Sequence, residues 1–121
     1  GGCDMIPFGS KVVTLLHKGE SGYTRHILKG CSWRMSAVHA VSDNMILHTI
    51  ETTCRIPAGQ QKPSAGDVLF LGKRDAEASS EIDIKRLIEA ARDEGISAFR
   101  VTTVRDNSFD NVLAHYAAIG E

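Results

Sequence analysis

Histidine and cysteine are the side chains of this sequence that could bind a metal or move a proton. The five histidines and three cysteines are scattered along the chain, whereas structural zinc sites use ligands paired about two to four residues apart. His39 and His48 would face each other across a predicted hairpin, where Cys31 could in principle join them. We favour polar neighbours on a solvated sheet face, so the sequence predicts no metal and no cofactor.

Nucleophilic and phosphate-binding motifs are absent from the sequence. No G-x-S-x-G elbow, Walker A loop or G-x-G-x-x-G loop occurs. Ser64 before Gly66-Asp67, with Lys85 further on, is weakly similar to the Ser/Lys peptidases of the signal-peptidase type. Lys85 is predicted on the solvent-exposed face of a helix, where no burial would lower its pKa so that it could act as a base. A peptidase is therefore the third hypothesis for the function, and we expect that the protein is not an enzyme.

A nucleic-acid-binding module of the OB or SH3 type is the second hypothesis for the function. It would stack bases on aromatic rings and hold phosphates with arginines. The rings would be Tyr23, Trp33 and Tyr116, and the arginines Arg25, Arg34 and Arg100. Because Trp33 alternates in phase with Cys31 and Met35, we expect it in the core instead.

The charge, the length and the number of cysteines further narrow the possible classes of protein. The chain has 121 residues, with 14 Lys+Arg against 15 Asp+Glu, which argues against a dedicated, strongly basic nucleic-acid binder. No long apolar run predicts a membrane span. Three cysteines are too few and odd in number for a disulfide framework, so reduced cytosolic thiols are expected. We expect residues 1–4 to be a terminal remnant without a secretion signal, and residues 5–121 to form one domain.

The first half of the chain predicts extended segments separated by turns. The predicted strands are residues 11–16, 23–28, 31–41, 45–56 and 67–72. Turns are predicted at 18–22, Lys29-Gly30 and Asp43-Asn44, and the proline-containing segment 57–66 is predicted as a loop. The strands on either side of Asp43-Asn44 predict one long hairpin.

The second half predicts one helix followed by two more strands. Ser80 is the expected N-cap of a helix that Gly95 ends, and Asp83 stands where a capping-box acid reaches back. Its apolar face is predicted from Ile82, Leu87, Ile88 and Ala91. Residues 98–104 predict a strand, Asp106-Asn107 a turn, and residues 112–119 a last strand rather than a short helix.

This element order predicts a mainly β, α+β fold. Consecutive antiparallel strands with one helix at about 80–94 favour a small antiparallel β-barrel or sandwich carrying an inserted helix. The absence of alternating β/α units makes a Rossmann-type sheet unexpected.

Several strand signatures together resemble a known group of proteins. They are Gly30-Cys-Ser-Trp33-Arg34, Arg55-Ile-Pro57, the segment from Pro63 through Gly66-Asp67 to Gly72, Thr102-Thr-Val104-Arg-Asp-Asn107, and the ending Leu113 to Gly120. The chain resembles a family of small phage and prophage minor structural proteins of the head–tail module. More distantly, it is similar to head–tail joining (head-closure) proteins.

The resemblance implies a non-enzymatic virion assembly protein of the head–tail connection, in the neck or at tail completion. Its partners would be portal, adaptor or tail proteins and further copies in a ring, with passing contact with DNA and no membrane. It would act in the host cytoplasm and then in the virion. Loops 18–22 and 57–66 are the expected partner contacts. The candidate contact residues are Lys18, Glu20, Tyr23, Gln60, Gln61, Lys62, Lys73 and Arg74, and Lys62, Lys73 and Arg74 are also expected to face the DNA.

Overall fold

The computed structural model describes residues 9–42, 45–107 and 114–121, with the backbone alone over 38–42 and 45–49. The elements in chain order are β1 (Lys11–Gly19), β2 (Gly22–Ser42), β3 (Met45–Pro57), β4 (Val68–Leu71), α1 (Glu81–Asp93), β5 (Ala98–Asn107) and β6 (His115–Gly120). The predicted turn at Asp43-Asn44 lies outside the described residues.

The strands close an antiparallel barrel in the order β1-β2-β3-β6-β5-β4. Two strands bend so that each belongs to two sheets. The first part of β2 pairs with β1 and its second part with β3, while β5 pairs first with β4 and then with β6. Because closure leaves no open edge along the barrel wall, the main chain there is paired.

The predicted turn at Lys29-Gly30 is wrong, since β2 runs through it without a break. The pairing of β2 with β1 slips by one residue between Lys11–Cys31 and Val13–Leu28. Gly30 has a φ of 69° at this point, a conformation that glycine adopts without steric cost. The sequence signal for a turn is therefore a β-bulge, which bends β2 from one sheet into the other.

Strands β1 and β4 are apolar on both faces because each face meets a different core. One face fills the barrel, whose buried residues are Val13, Leu15, Leu28, Cys31, Cys54, Ile56, Leu69, Phe99, Val101 and Ala118. The other face packs beneath α1, with buried residues Leu16, Val68, Phe70, Ala76, Ile84, Ala91 and Ala98. The continuous apolar runs of these two strands follow from burial on both sides.

Helix α1 begins and ends as the sequence predicts. Ser80 is the N-cap and its Oγ accepts a hydrogen bond from the Asp83 N–H at 3.4 Å, whereas the Asp83 carboxylate reaches back to the N–H and Oγ of Ser79. These hydrogen bonds lower the pKa of Asp83. At the other end, Gly95 has a φ of 78°, and the Ile96 N–H donates to the Ala91 carbonyl at 2.8 Å, which is a Schellman ending.

Two local predictions are corrected by the structure. Ile82 is 64% exposed, and Ile84 takes its place on the buried face of α1. Asp106-Asn107 lies inside β5 rather than in a turn. The predicted last strand is confirmed as a strand and spans His115–Gly120, while residues 112–113 of the prediction lie outside the described part of the chain.

The predicted fold class is confirmed: the protein is a small antiparallel β-barrel with one helix inserted between β4 and β5. Trp33 packs edge-on against Phe99, with ring centroids 5.1 Å apart, but it is half-buried and lies at the margin of the barrel core. Over the described residues, no helix is long and apolar enough to span a membrane.

Candidate interaction surface

The far half of the long hairpin extends beyond the barrel wall. β3 pairs with β6 only from Thr52 onwards, so residues 36–42 of β2 and 45–51 of β3 pair only with each other among the described strands. We call this two-stranded ribbon, residues 36–42 and 45–51, the arm. Seven residues in each strand give it a length of about 23 Å, at about 3.3 Å per residue.

The arm lacks the devices that usually protect an open strand edge. Its sequence, SAVHAVSDNMILHTIE, contains no lysine, arginine or proline, and proteins place such residues on edges to prevent pairing with another chain. Along the described backbone, both long edges of the arm are without a neighbouring strand. The alternation of apolar and polar residues in β2 and β3 therefore continues past the barrel, into a ribbon that no third strand of the described chain covers.

The base of the arm exposes apolar surface. Met35 is 54% exposed and Ile50 is 57% exposed, although both continue the inward-facing series that Cys31 and Cys54 occupy within the barrel. They line a cleft of about 480 Å³ together with Ile96 and Ala98 at the end of the helix and the start of β5. Only the end of the barrel wall leaves these two side chains outside the core.

The predicted loop at residues 18–22 is a tight turn. β1 and β2 are joined through Glu20 and Ser21, with Gly19 paired to Gly22. Lys18 and Tyr23, both predicted as partner contacts, meet at the carboxylate of Glu81 at distances of 3.2 and 2.9 Å. This segment is therefore held against α1, and only Glu20 and Ser21 project as the tip of the turn.

Glu81 joins three strands, β1, β2 and β5, to the helix. Besides Lys18 and Tyr23, the guanidinium of Arg100 on β5 donates to its carboxylate. These three donors, Arg100 above all, lower the pKa of Glu81 from 4.5 to about 2. Burial and the bonded Glu81 carboxylate raise the pKa of Tyr23. The cluster is a polar contact that docks the first turn of α1 on the barrel.

Loop 57–66 is anchored to the barrel along its length. The side-chain amide of Gln60 forms two hydrogen bonds with the main chain of Lys29, each of 2.9 Å. Lys62 pairs with Asp106 at 2.8 Å, and this carboxylate raises the pKa of Lys62. Gln61 donates to the carbonyl of Lys62 and is half-buried.

The remaining two predicted contact residues lie beside α1, away from loop 57–66. Lys73 is exposed, and Arg74 pairs with Glu94 at 2.6 Å. The Arg74 N–H donates to the Oγ1 of the buried Thr14 at 2.8 Å. The structure thus distributes the predicted contact residues around the barrel instead of bringing them into one site.

A buried aspartate and a histidine form the contact that most resembles catalytic machinery. Asp67 is fully buried and accepts from the N–H groups of Lys18 and Ser64 at 2.9 and 2.8 Å. Its other contact is with Nδ1 of His17 at 2.7 Å, the arrangement that orients a general base. Within the described residues, no serine, threonine or cysteine side chain hydrogen-bonds to Nε2 of His17. The pair ties the turn before β4 to the end of β1.

Cys31 and Cys54 are both buried, unpaired thiols in the barrel core. A hydrogen bond with Cys31, together with burial, raises the pKa of Cys54 well above its ordinary value. Because the thiolate is the reactive form of cysteine, this thiol is held in its unreactive form at neutral pH.

The backbone register places His39 directly opposite His48, as the hairpin predicted. Cys31 lies on the same strand but inside the barrel core. In the part of the chain that the structure describes, no three His, Cys, Asp or Glu side chains are grouped to hold a metal.

The three aromatic rings proposed for base stacking occupy separate positions. The Tyr23 hydroxyl donates to Glu81, the Trp33 indole N–H donates to the Ser97 hydroxyl at 3.0 Å, and the Tyr116 ring lies beneath Lys62. The structure does not bring these rings onto one stacking surface. For the peptidase reading, Lys85 is exposed on α1 and Ser64 is exposed in the turn before β4.

Comparison with known proteins gives a family without an assigned role. No curated protein and no solved structure matches the chain. Residues 8–121 match the model of a family of unknown function, DUF6751. Because this match covers nearly the whole chain and both parts of its fold, the barrel and the helix, the protein belongs to the DUF6751 family.

Proposed function

We propose that this protein is a non-enzymatic assembly subunit of the head–tail connection of a phage or prophage virion. It would act in the neck or at tail completion, in a ring of copies bound to portal, adaptor or tail proteins. It would be found in the host cytoplasm during assembly and then in the virion. The likeness of its strand signatures to phage head–tail proteins suggests this class.

The arm is the observation that carries the proposal. A closed barrel has no free edge with which to join neighbours, whereas a ribbon about 23 Å long provides two. An edge can add a strand to a neighbouring sheet, with main-chain hydrogen bonds giving affinity. Repeated head-to-tail contacts of this kind generate a ring when the rotation closes.

The rest of the fold suits a rigid subunit. The barrel and the helix are joined by a continuous buried layer, the loop at 57–66 is pinned by side chains, and the formal net charge is −1. A nearly neutral surface lets copies pack side by side without strong repulsion.

Removal of the arm tests the proposal. The variant replaces residues 38–49 with Asn-Gly, a sequence that forms tight hairpin turns, between the paired residues Ala37 and Ile50. We expect a folded barrel with a native near-ultraviolet spectrum that no longer forms rings, seen by electron microscopy with or without a portal. Lys85→Gln, an exposed change on α1, is the control and should assemble normally. Rings formed by the armless chain would refute the arm as the assembly element.

A further inference from the structure

Five cations of the described chain are already neutralised by carboxylates. They are Lys18, Arg25, Lys62, Arg74 and Arg100. Two of the three arginines that the sequence suggested as phosphate contacts, Arg25 and Arg100, are therefore occupied. Arg34 is the third, and it has no carboxylate partner among the described residues.

Arg34 shares one face of the barrel with two arginines from other strands. The inward positions of β2, β3 and β5 are occupied by buried residues such as Cys31, Cys54 and Val101. Strand alternation therefore turns Arg34 and Arg55 outwards. Arg105 follows Val104, which packs against the barrel core, so Arg105 is outward as well. All three arginines are exposed.

The register brings these arginines close together. Arg55 pairs with Ala117 and Ala117 pairs with Arg105, so the two arginines lie two strand spacings apart, roughly 9.6 Å between Cα atoms. Arg34 pairs with Thr53 on β3, two residues before Arg55. We call this group, Arg34, Arg55 and Arg105, the arginine face.

Most neighbours of the arginine face are small or hydroxyl-bearing, and the half-buried Ile119 lies between Thr53 and Thr103. Ser32 lies opposite Arg55 and Thr53 opposite Arg34, and Thr103 lies two residues before Arg105. Within the described residues, none of the three arginines forms an ion pair; the acidic residue Glu51 lies on the same outward series of β3, at the base of the arm. Arginines and hydroxyls are the groups that contact phosphate oxygens in nucleic-acid complexes.

We propose that the arginine face binds the phosphodiester backbone of duplex DNA, without reading its sequence. The large exposed hydrophobic residues of the described chain, Met35, Ile50 and Ile82, lie off this face. Ile119, which lies between Thr53 and Thr103, is half-buried, so the face has no large exposed apolar centre of the kind found in protein interfaces. It also has no exposed aromatic ring on which a single-stranded base could stack. The remaining interaction is contact between the arginines and the charged phosphates of the DNA backbone.

Binding by a single subunit is weak, because only three charges take part. For three phosphate contacts, affinity falls by about 40-fold between 50 and 200 mM salt. The inference rests on the proposed function in one respect only: a ring of copies would multiply these three contacts. The contact itself belongs to the isolated chain and is tested on it.

The test is a titration of the isotope-labelled full chain with a short DNA duplex at low salt, followed by amide NMR shifts. We expect shifts at residues 32–34, 53–55 and 103–105 that disappear as salt rises. Arg34→Gln/Arg55→Gln/Arg105→Gln should bind at least about tenfold more weakly, since three charge contacts are lost. Lys85→Gln/Arg86→Gln/Arg92→Gln makes the same change in net charge on helix α1 and should bind within about twofold of the wild type.

Several results would overturn the inference. No shift with the wild type, shifts on another face, or an equal loss in both triple variants would exclude a DNA site here. A single strand that binds more tightly than the duplex would indicate base contacts instead. If the arginine variant failed to form rings while the wild type bound no DNA, the face would be a protein interface.

Two further results separate the inference from the proposed function. If the arginine variant forms rings but no longer binds DNA, the inference is supported and the proposed function stands. If the wild type binds DNA but forms no rings, only the proposed function is refuted.

Discussion

Gly120 is the residue whose type the fold fixes most strictly. It lies at the end of β6, where the strand crosses the main chain of β5. A Cβ built there would overlap the Arg100 carbonyl and lie 2.8 Å from the Phe99 ring. Both belong to strand β5, which is paired on both sides, so neither can move away easily.

Gly120→Ala is therefore expected to destabilise the protein by about 3 kcal/mol, the upper part of the range for overpacking. Urea unfolding followed by tryptophan fluorescence would measure the change. Gly19→Ala is the matched control, because its nearest Cβ contact is an ordinary 3.4 Å to the Gly22 carbonyl. Equal stability of the two variants would contradict the close approach of β5 and β6.

Glu81 makes stability depend on pH in the acid range. Its pKa is lowered from 4.5 to about 2 in the folded chain, so its contribution is fully present above 4.5 and is lost as the pH falls towards 2. Glu81→Gln should lower the melting temperature slightly at neutral pH, since exposed ion pairs are weak. The difference from the wild type should shrink between pH 4.5 and 2.

Melting curves across this pH range measure the effect. Glu89→Gln, an exposed change on the same helix, should follow the wild-type pH profile. If Glu81→Gln kept the full acid dependence of the wild type, the cluster of Lys18, Tyr23 and Arg100 around Glu81 would have no role in docking the helix.

At the scale of elements, β2 decides the shape of the molecule. Its 21 residues form one strand that serves three structures: the pair with β1, the pair with β3 in the barrel, and the arm. The bulge at Gly30 allows the first change of direction. A strand this long cannot be inferred from local turn signals, because Lys29-Gly30 has the composition of a turn as well as of a bulge.

Helix α1 shows the opposite case, in which local signals are sufficient. Ser80, Asp83 and Gly95 satisfy main-chain groups within a few residues of themselves, so their roles follow from short-range geometry. Which apolar side of the helix is buried depends on the sheet beneath it. For this reason the sequence assigned Ile82 to the core where the structure uses Ile84.

At the scale of the whole molecule, the closed barrel protects its cysteines. Cys31 and Cys54 are fully buried, and the pKa of Cys54 is raised by the hydrogen bond with Cys31 and by burial. They lie on the inner face of the paired strands β2 and β3, so the barrel wall must open before a reagent reaches them.

In a Cys3→Ser variant, Cys31 and Cys54 should therefore react with a thiol reagent only through unfolding of the barrel. The reaction should be at least about 1,000-fold slower than in denaturant, since opening of a core region costs much of the global stability. Absorbance of the released thiolate measures it. A rate that stays the same when low concentrations of urea lower the stability would instead indicate direct access to the core.

The sequence by itself determined the secondary structure class, the long hairpin, the caps of the helix and the mainly β fold. These depend on alternation, on proline and glycine, and on hydrogen bonds between near neighbours, all of which are local properties. The tertiary structure alone decided where the barrel wall ends, and so which part of the hairpin became the arm with Met35 and Ile50 uncovered. It also decided which arginines are neutralised and which share a face. Both outcomes depend on pairing between distant strands, whose register is set by closure of the barrel rather than by any one segment.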